Sequence, residues 1–182
     1  MKKIVTGTLA LGVILGSGSS FASAAELDTV SKIEDLTIQN KNTTQAISAL
    51  TTKGISASQF DNVYAAMKKY EGKPYKWGGS SPNTGFDCSG LMQWGYGTQK
   101  IKLPRTAQEQ YDQTARINRN SLQQGDLVFF KGTNGNKSGI THVGMYIGKD
   151  KFYNCSSSDG VSEASLNSSY WSKHIAGYGR VK

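Results

Sequence analysis

The sequence predicts an α+β fold, with N-terminal helices packed on one side of an antiparallel sheet. Three observations carry that expectation. Apolar residues recur at helical spacing between Ser56 and Met67, give way to strand-like runs from Leu122 onward, and are punctuated by glycine-rich turns. Helices first and a meander of strands after is the order of a segregated α+β domain, not of alternating βαβ units.

Residues 1–24 are expected to lie outside the fold. Met1-Lys2-Lys3 is a basic start, Ile4 to Leu15 an apolar run, and Ala22-Ser23-Ala24 a small-residue cleavage site. Together they read as a secretory signal peptide. The apolar run falls short of the ~20 residues that span a bilayer, so no transmembrane segment is expected once the signal is removed. The full chain carries a net charge of +8; without Lys2 and Lys3 it keeps 19 basic residues against 13 acidic ones, or +6. A basic exported protein suits an anionic wall polymer or a membrane surface. Nucleic acid is excluded as a partner, because the basic residues are scattered and the chain is exported. The expectation is a secreted, wall-associated monomer.

Residues 25–55 form a polar extension. Leu27, Val30, Ile33, Leu36 and Ile38, then Ala46, Ile47 and Leu50, allow one or two short amphipathic helices, broken at Asn40–Thr44 and ended by Gly54. The domain proper spans 56–182. Ser56-Ala57-Ser58-Gln59 is a capping box, and Phe60, Val63, Tyr64 and Met67 share a helical stripe that Gly72 and Pro74 close. A loop from Gly78 to Thr84 leads into a helix at Cys88, which Gly95 and Gly97 should stop. Thr106 caps a short helix through Gln110 and Tyr111. Strands are predicted at Leu127–Phe130, His142–Ile147, Lys151–Cys155 and Ala176–Val181, with Gly148-Lys149-Asp150 as a hairpin turn. Lys131–Gly139 and Ser156–Ser169 read as loops.

The chemistry centres on Gly85-Phe86-Asp87-Cys88-Ser89-Gly90-Leu91. A cysteine in the first turn of a helix meets unpaired N–H groups and the positive end of the dipole, which favour thiolate over thiol. A thiol nucleophile needs a base and a group that holds the base in position. His142 is preferred over His174 as the base because it sits on a strand, a rigid support. Asn154, near the end of the next strand, can accept from one imidazole nitrogen and leave the other for the thiol. The bland alternative for Cys88 is a disulfide with Cys155, worth about 4 kcal/mol on the chain-entropy account. Strand parity argues against it: if Asn154 faces the site, Cys155 faces away. No metal or cofactor is expected.

Five motifs together resemble the NlpC family of bacterial cell-wall cysteine peptidases. They are Tyr75-Lys76-Trp77-Gly78-Gly79, Gly85 to Leu91, Leu103-Pro104-Arg105-Thr106, Gly125 to Phe130, and His142 to Gly148. The resemblance spans about residues 60 to 181 and implies a papain-like α+β fold. It also implies cleavage of peptidoglycan stem peptides between D-γ-glutamate and the following diamino acid. Carried over, Cys88 matches the nucleophile and His142 the base, while Asn154 stands where the family more often has histidine. Asp87 and Ser89 match residues that contact the free amine of an N-terminal L-alanine, and Tyr75 a tyrosine beside the thiol. Trp77 is a candidate cleft wall or core aromatic, and Arg105 a partner for a stem-peptide carboxylate or a surface arginine. An amidase or cross-bridge peptidase with the same site, and a non-catalytic wall-binding or assembly module, are the alternatives.

Overall fold

Ser56 caps helix α2 (Ala57–Lys68) through the expected capping box, its hydroxyl accepting from Gln59 N while Gln59 returns to the Ser56 amide. The computed structural model describes residues 24–51, 53–135 and 138–182. The expected signal peptide falls outside the described residues except for Ala24, which opens α1. The chain divides into two units, one ending at Gln45 and one running from Ala46 to Lys182.

Helix α1 (Ala24–Thr51) is one continuous helix of 28 residues, not two short ones. Asn40–Thr44 does not break it. Thr37 and Thr43 donate back to the carbonyls of Ile33 and Gln39 at 2.7 and 2.8 Å, so these side chains bond within the helix and do not pull the backbone out of it. From Asp28 to Thr43 every side chain is exposed, Val30, Ile33, Leu36 and Ile38 among them.

In the larger unit, α2 is followed by a minimal hairpin, β1 (Ser80–Ser81) and β2 (Gly85–Phe86), then α3 (Cys88–Gly97) and α4 (Ala107–Gln113). Helix α3 runs through Gly95 and stops at Gly97. The strands are β3 (Ala115–Ile117), β4 (Leu127–Phe130), β5 (His142–Gly148), β6 (Lys151–Ser156), β7 (Gly160–Ser165) and β8 (Ile175–Arg180). They form one antiparallel sheet in the order β3-β8-β4-β5-β6-β7. The segment Ser156–Ser169, read as a loop, contains β7. Its Gly160-Val161-Ser162-Glu163-Ala164-Ser165 pairs residue for residue with β6, and that pairing overrides its weak local propensity.

Strand alternation divides the core in two. Phe60, Val63 and Met67 of α2 and Leu91, Met92 and Tyr96 of α3 pack on Leu127, Phe129, Val143, Met145, Tyr153 and Cys155. The opposite face carries Val128, Phe130, Phe152, Leu166 and Tyr178. The N-terminal helices α2 and α3 lie on the first face, as expected, and a four-residue helix near the C-terminus, α5 (Trp171–His174), covers the second through Trp171. The hairpin joining β5 and β6 turns through Lys149 and Asp150 with φ of 52° and 53°, a two-residue turn whose twist matches the strands it joins.

Candidate active site

Asp87 builds the start of α3. Its Oδ1 accepts from Gly90 N at 2.7 Å and its Oδ2 from Gly78 N at 3.0 Å, capping the helix and tying the preceding loop to it. That loop lies so close that a Cβ on Gly90 would come within 2.0 Å of Gly79 O, which is why a glycine follows Cys88-Ser89. Cys88 is thereby held in the first helical turn. The backbone amides of Val143, Ser89 and Cys88 itself lie close to its sulfur.

Those amides pull the Cys88 pKa down, but burial and the nearby Asp87 carboxylate push harder, raising it to about 11. The expected thiolate is therefore not the resting form. Desolvation outweighs the helix terminus because the residue is only 7% exposed. His142 shifts the other way, lowered by burial to about 4 against the pull of Asn154 and Asp87. At neutral pH the site holds a neutral thiol and a neutral imidazole.

Asn154 fixes the imidazole. Its Nδ2 donates to Ser162 O at 3.1 Å, which leaves Oδ1 aimed at His142 Nε2 at 3.0 Å. An amide oxygen only accepts, so Nε2 carries the proton and Nδ1 is the basic nitrogen. Gly144 lies between them on β5, where a Cβ would approach Asn154 Cβ to 3.1 Å and Phe152 Cδ2 to 2.5 Å. The glycine is what lets the strands bring Asn154 to the ring. His174 lies elsewhere, on α5, with Nδ1 donating to Tyr170 O at 2.8 Å.

Cys88 sits where two lobes of a cleft meet. One lobe, about 380 Å³, is lined by Asp87, Ser89, Arg105 and Gln108 among others. The other, about 570 Å³, is lined by His142, Thr141, Ser156, Ser157, Tyr170 and Trp171 among others. Tyr75 and Trp77 border both. Trp77 is 81% exposed, so the core alternative does not hold. The Tyr75 hydroxyl, raised to about 12 by burial and by Cys88 and Asp87, stays protonated and able to donate.

Arg105 lines the first lobe, partly exposed, and is already ion-paired there. It is neither a free cation for a carboxylate nor a loose surface side chain. Its Nη1 donates to Asp87 Oδ1 at 3.0 Å and to Ser89 Oγ at 3.1 Å, and its Nη2 to Asp87 Oδ2 at 2.5 Å. The Asp87 carboxylate thus receives the guanidinium, two amides and, at 3.3 Å, the Ser89 hydroxyl. Gln110 was not anticipated. Buried behind this cluster, its Nε2 donates to Ser89 O and Pro104 O at 2.9 and 2.8 Å, locking α3 to the loop that carries Arg105. A glutamine one turn inside a predicted helix gives no sequence signal for that clamp.

Cys155 is free, as is Cys88. Parity holds, since Cys155 faces away from Asn154, and the two cysteines form no disulfide, although Cys155 is not turned away from Cys88. The far face is the one that α3 covers, so Cys155 lies in the same core as Cys88 and donates to Phe86 O at 3.2 Å.

Comparison with known proteins agrees with this architecture. The NlpC/P60 family profile matches residues 72–180, and the chain belongs to that family. It is 49% identical over 123 residues to the bifunctional muramidase/DL-endopeptidase CwlT of Bacillus subtilis, covering 68% of this chain and 37% of that one. It is 47% identical over 114 residues to the murein DD-endopeptidase MepH of Escherichia coli, covering 60% and 41%. The chain thus spans well under half the length of either relative. Among solved structures, an NLP/P60-family protein of Staphylococcus aureus superposes with a TM-score of 0.68 at 41% identity, over 71% of this chain and 43% of that one. The fold is papain-like.

Proposed function

We propose that the protein is a secreted, wall-associated cysteine endopeptidase. It hydrolyses peptidoglycan stem peptides at the bond between D-γ-glutamate and the diamino acid, with residues 56–182 as the peptidase domain. One observation carries the reading: Cys88 and His142 open onto a single cleft, and Asn154 leaves His142 Nδ1 as the free, basic nitrogen. In this mechanism Cys88 Sγ attacks the γ-glutamyl carbonyl as its proton passes to His142 Nδ1. The amides in the first turn of α3 stabilise the developing oxyanion, with the Tyr75 hydroxyl as a further donor. His142 then protonates the leaving amine, and water, activated by the same imidazole, hydrolyses the thioester.

The lobe at Asp87 and Ser89 receives the amine end of the substrate. Its carboxylate is already matched to Arg105, so the pair acts as a polar floor and the two residues bind as a unit. Trp77, at the mouth of both lobes, walls the bound peptide. The basic charge of the mature chain is suited to holding the enzyme near anionic wall polymer or the membrane surface. No helix among the described residues is long and apolar enough to cross a membrane.

The name of MepH, a murein DD-endopeptidase, favours a second reading in which the same site cuts a cross-bridge. Mass spectrometry of muropeptides after digestion separates the two. New fragments ending in γ-glutamate support the stem-peptide bond, whereas loss of cross-linked dimers with stems intact supports the cross-bridge. A protein of this family from Mycobacterium tuberculosis, RipD, is described as non-catalytic, with a TM-score of 0.57 at 25% identity over 68% of this chain and 98% of that one. The Cys88, His142 and Asn154 constellation argues against that fate here.

A further inference from the structure

We propose that Trp171 is a positioning residue, an aromatic clamp that holds the His142 ring in the plane its partners require and keeps water from the His142–Asn154 hydrogen bond. The proposal rests on the reading of His142 as the base. The indole lies nearly parallel to the imidazole, with ring centroids 4.9 Å apart and planes inclined by 30°. Phe130 closes on the same imidazole at 5.7 Å.

The clamp is itself held. Trp171 packs on Phe130 at 4.8 Å and edge-on to Phe152 at 5.2 Å, and Tyr170 meets its ring edge-on at 5.0 Å. The Trp171 amide donates to Ser168 Oγ at 3.1 Å, and the Tyr170 hydroxyl donates to Thr133 O at 3.2 Å, which ties α5 to the rim loop. A single hydrogen bond to Nε2 fixes one point of an imidazole and leaves its plane free to swing. A stacked ring removes that freedom. Dry surroundings also strengthen the bond to Asn154. When the imidazole takes up the thiol proton, the indole face attracts the resulting cation. One contact thus serves both states of the base.

The groups around His142 leave the clamp as the main screen. The charged or titratable groups on this side of the ring are Cys88 and Asp87, from α3 and its cap, Tyr75 from the loop before β1, and Tyr170 from the start of α5. Strand β4 presents Phe130, and β6 presents Asn154 and Ser156. From α5 comes Trp171, with Lys173 exposed and His174 turned to Tyr170. The depressed His142 pKa, near 4 and caused first by burial, fits such a screen.

The test compares Trp171→Ala and Trp171→Phe with wild type by stem-peptide kinetics and by NMR titration of the His142 ring. Loss of the stack should lower kcat about ten-fold with KM changed by less than about two-fold. In Trp171→Ala the His142 titration should also move up from about 4 toward 6.5. Trp171→Phe should recover most of the rate and keep the titration low. Should Trp171→Ala not fold, Trp171→Leu, which keeps apolar bulk without a ring, takes its place. A ring-less variant with wild-type kcat and wild-type titration overturns the clamp, as does a Phe variant no better than the ring-less one. The titration needs no substrate, so a wild-type protein that cleaves nothing counts against the proposed activity while the clamp is still decided.

Discussion

At the scale of single residues, the site depends on one proton being on the right nitrogen. Asn154 accepts from His142 Nε2, and that bond sets the tautomer. Asn154→Ala should therefore lower kcat by about ten- to a hundred-fold while KM moves little, since the ring is misplaced and the cleft is not. Asn154→His should recover part of the rate and add an acid limb near pH 6.5, because the new acceptor titrates where an amide does not. Steady-state kinetics against pH checks both. That Cys88, His142 and Asn154 come together was legible in the sequence because a thiol, an imidazole and an amide are residue types with distinct chemistry. The state of Cys88 was not. A helix terminus is visible in a sequence, but the burial that raises the thiol to about 11 belongs to the packed structure. The Arg105 ion pair was not legible for a related reason: its partner Asp87 is 18 positions away, and only the folded loop brings them within 3.0 Å.

At the scale of elements, the strands carrying His142 and Asn154 were legible because apolar alternation and the Gly148-Lys149-Asp150 turn set them locally. Strand β7 was not, because its residues are polar and small and only the β6 edge makes them a strand. Helix α1 was read as broken, because Asn40 to Thr44 have weak helix propensity and their threonine back-bonding is not visible in propensity alone. A second feature with no local signal is the pair that joins β8 to the turn before β4. Arg180 Nε and Nη2 donate to Asp126 Oδ1 and Oδ2 at 2.9 and 2.8 Å, with both side chains nearly inaccessible. Removing one partner strands a buried charge. Arg180→Met should cost about 3–5 kcal/mol, read as a lower urea midpoint, and Arg180→Met with Asp126→Leu should recover much of it.

At the scale of the whole molecule, one core packs two helices on a six-stranded sheet and leaves the cleft at the edge where α3, β5 and β6 converge. Burying a neutral imidazole there links stability to pH. His142 binds its proton at about 4 in the folded protein and near 6.5 when unfolded. The unfolded chain therefore holds more protons between those values, and stability falls as pH drops through that window. His142→Gln should flatten that part of the profile in chemical denaturation, whereas an unchanged slope would mean that other groups set it. The central claim is that this fold cuts peptidoglycan through Cys88. Its most direct measurement is mass spectrometry of purified wall material incubated with wild type and with Cys88→Ala, both checked to be folded. The account predicts new stem-peptide fragments from wild type and none from Cys88→Ala; the same fragments from both proteins, or from neither, would contradict it.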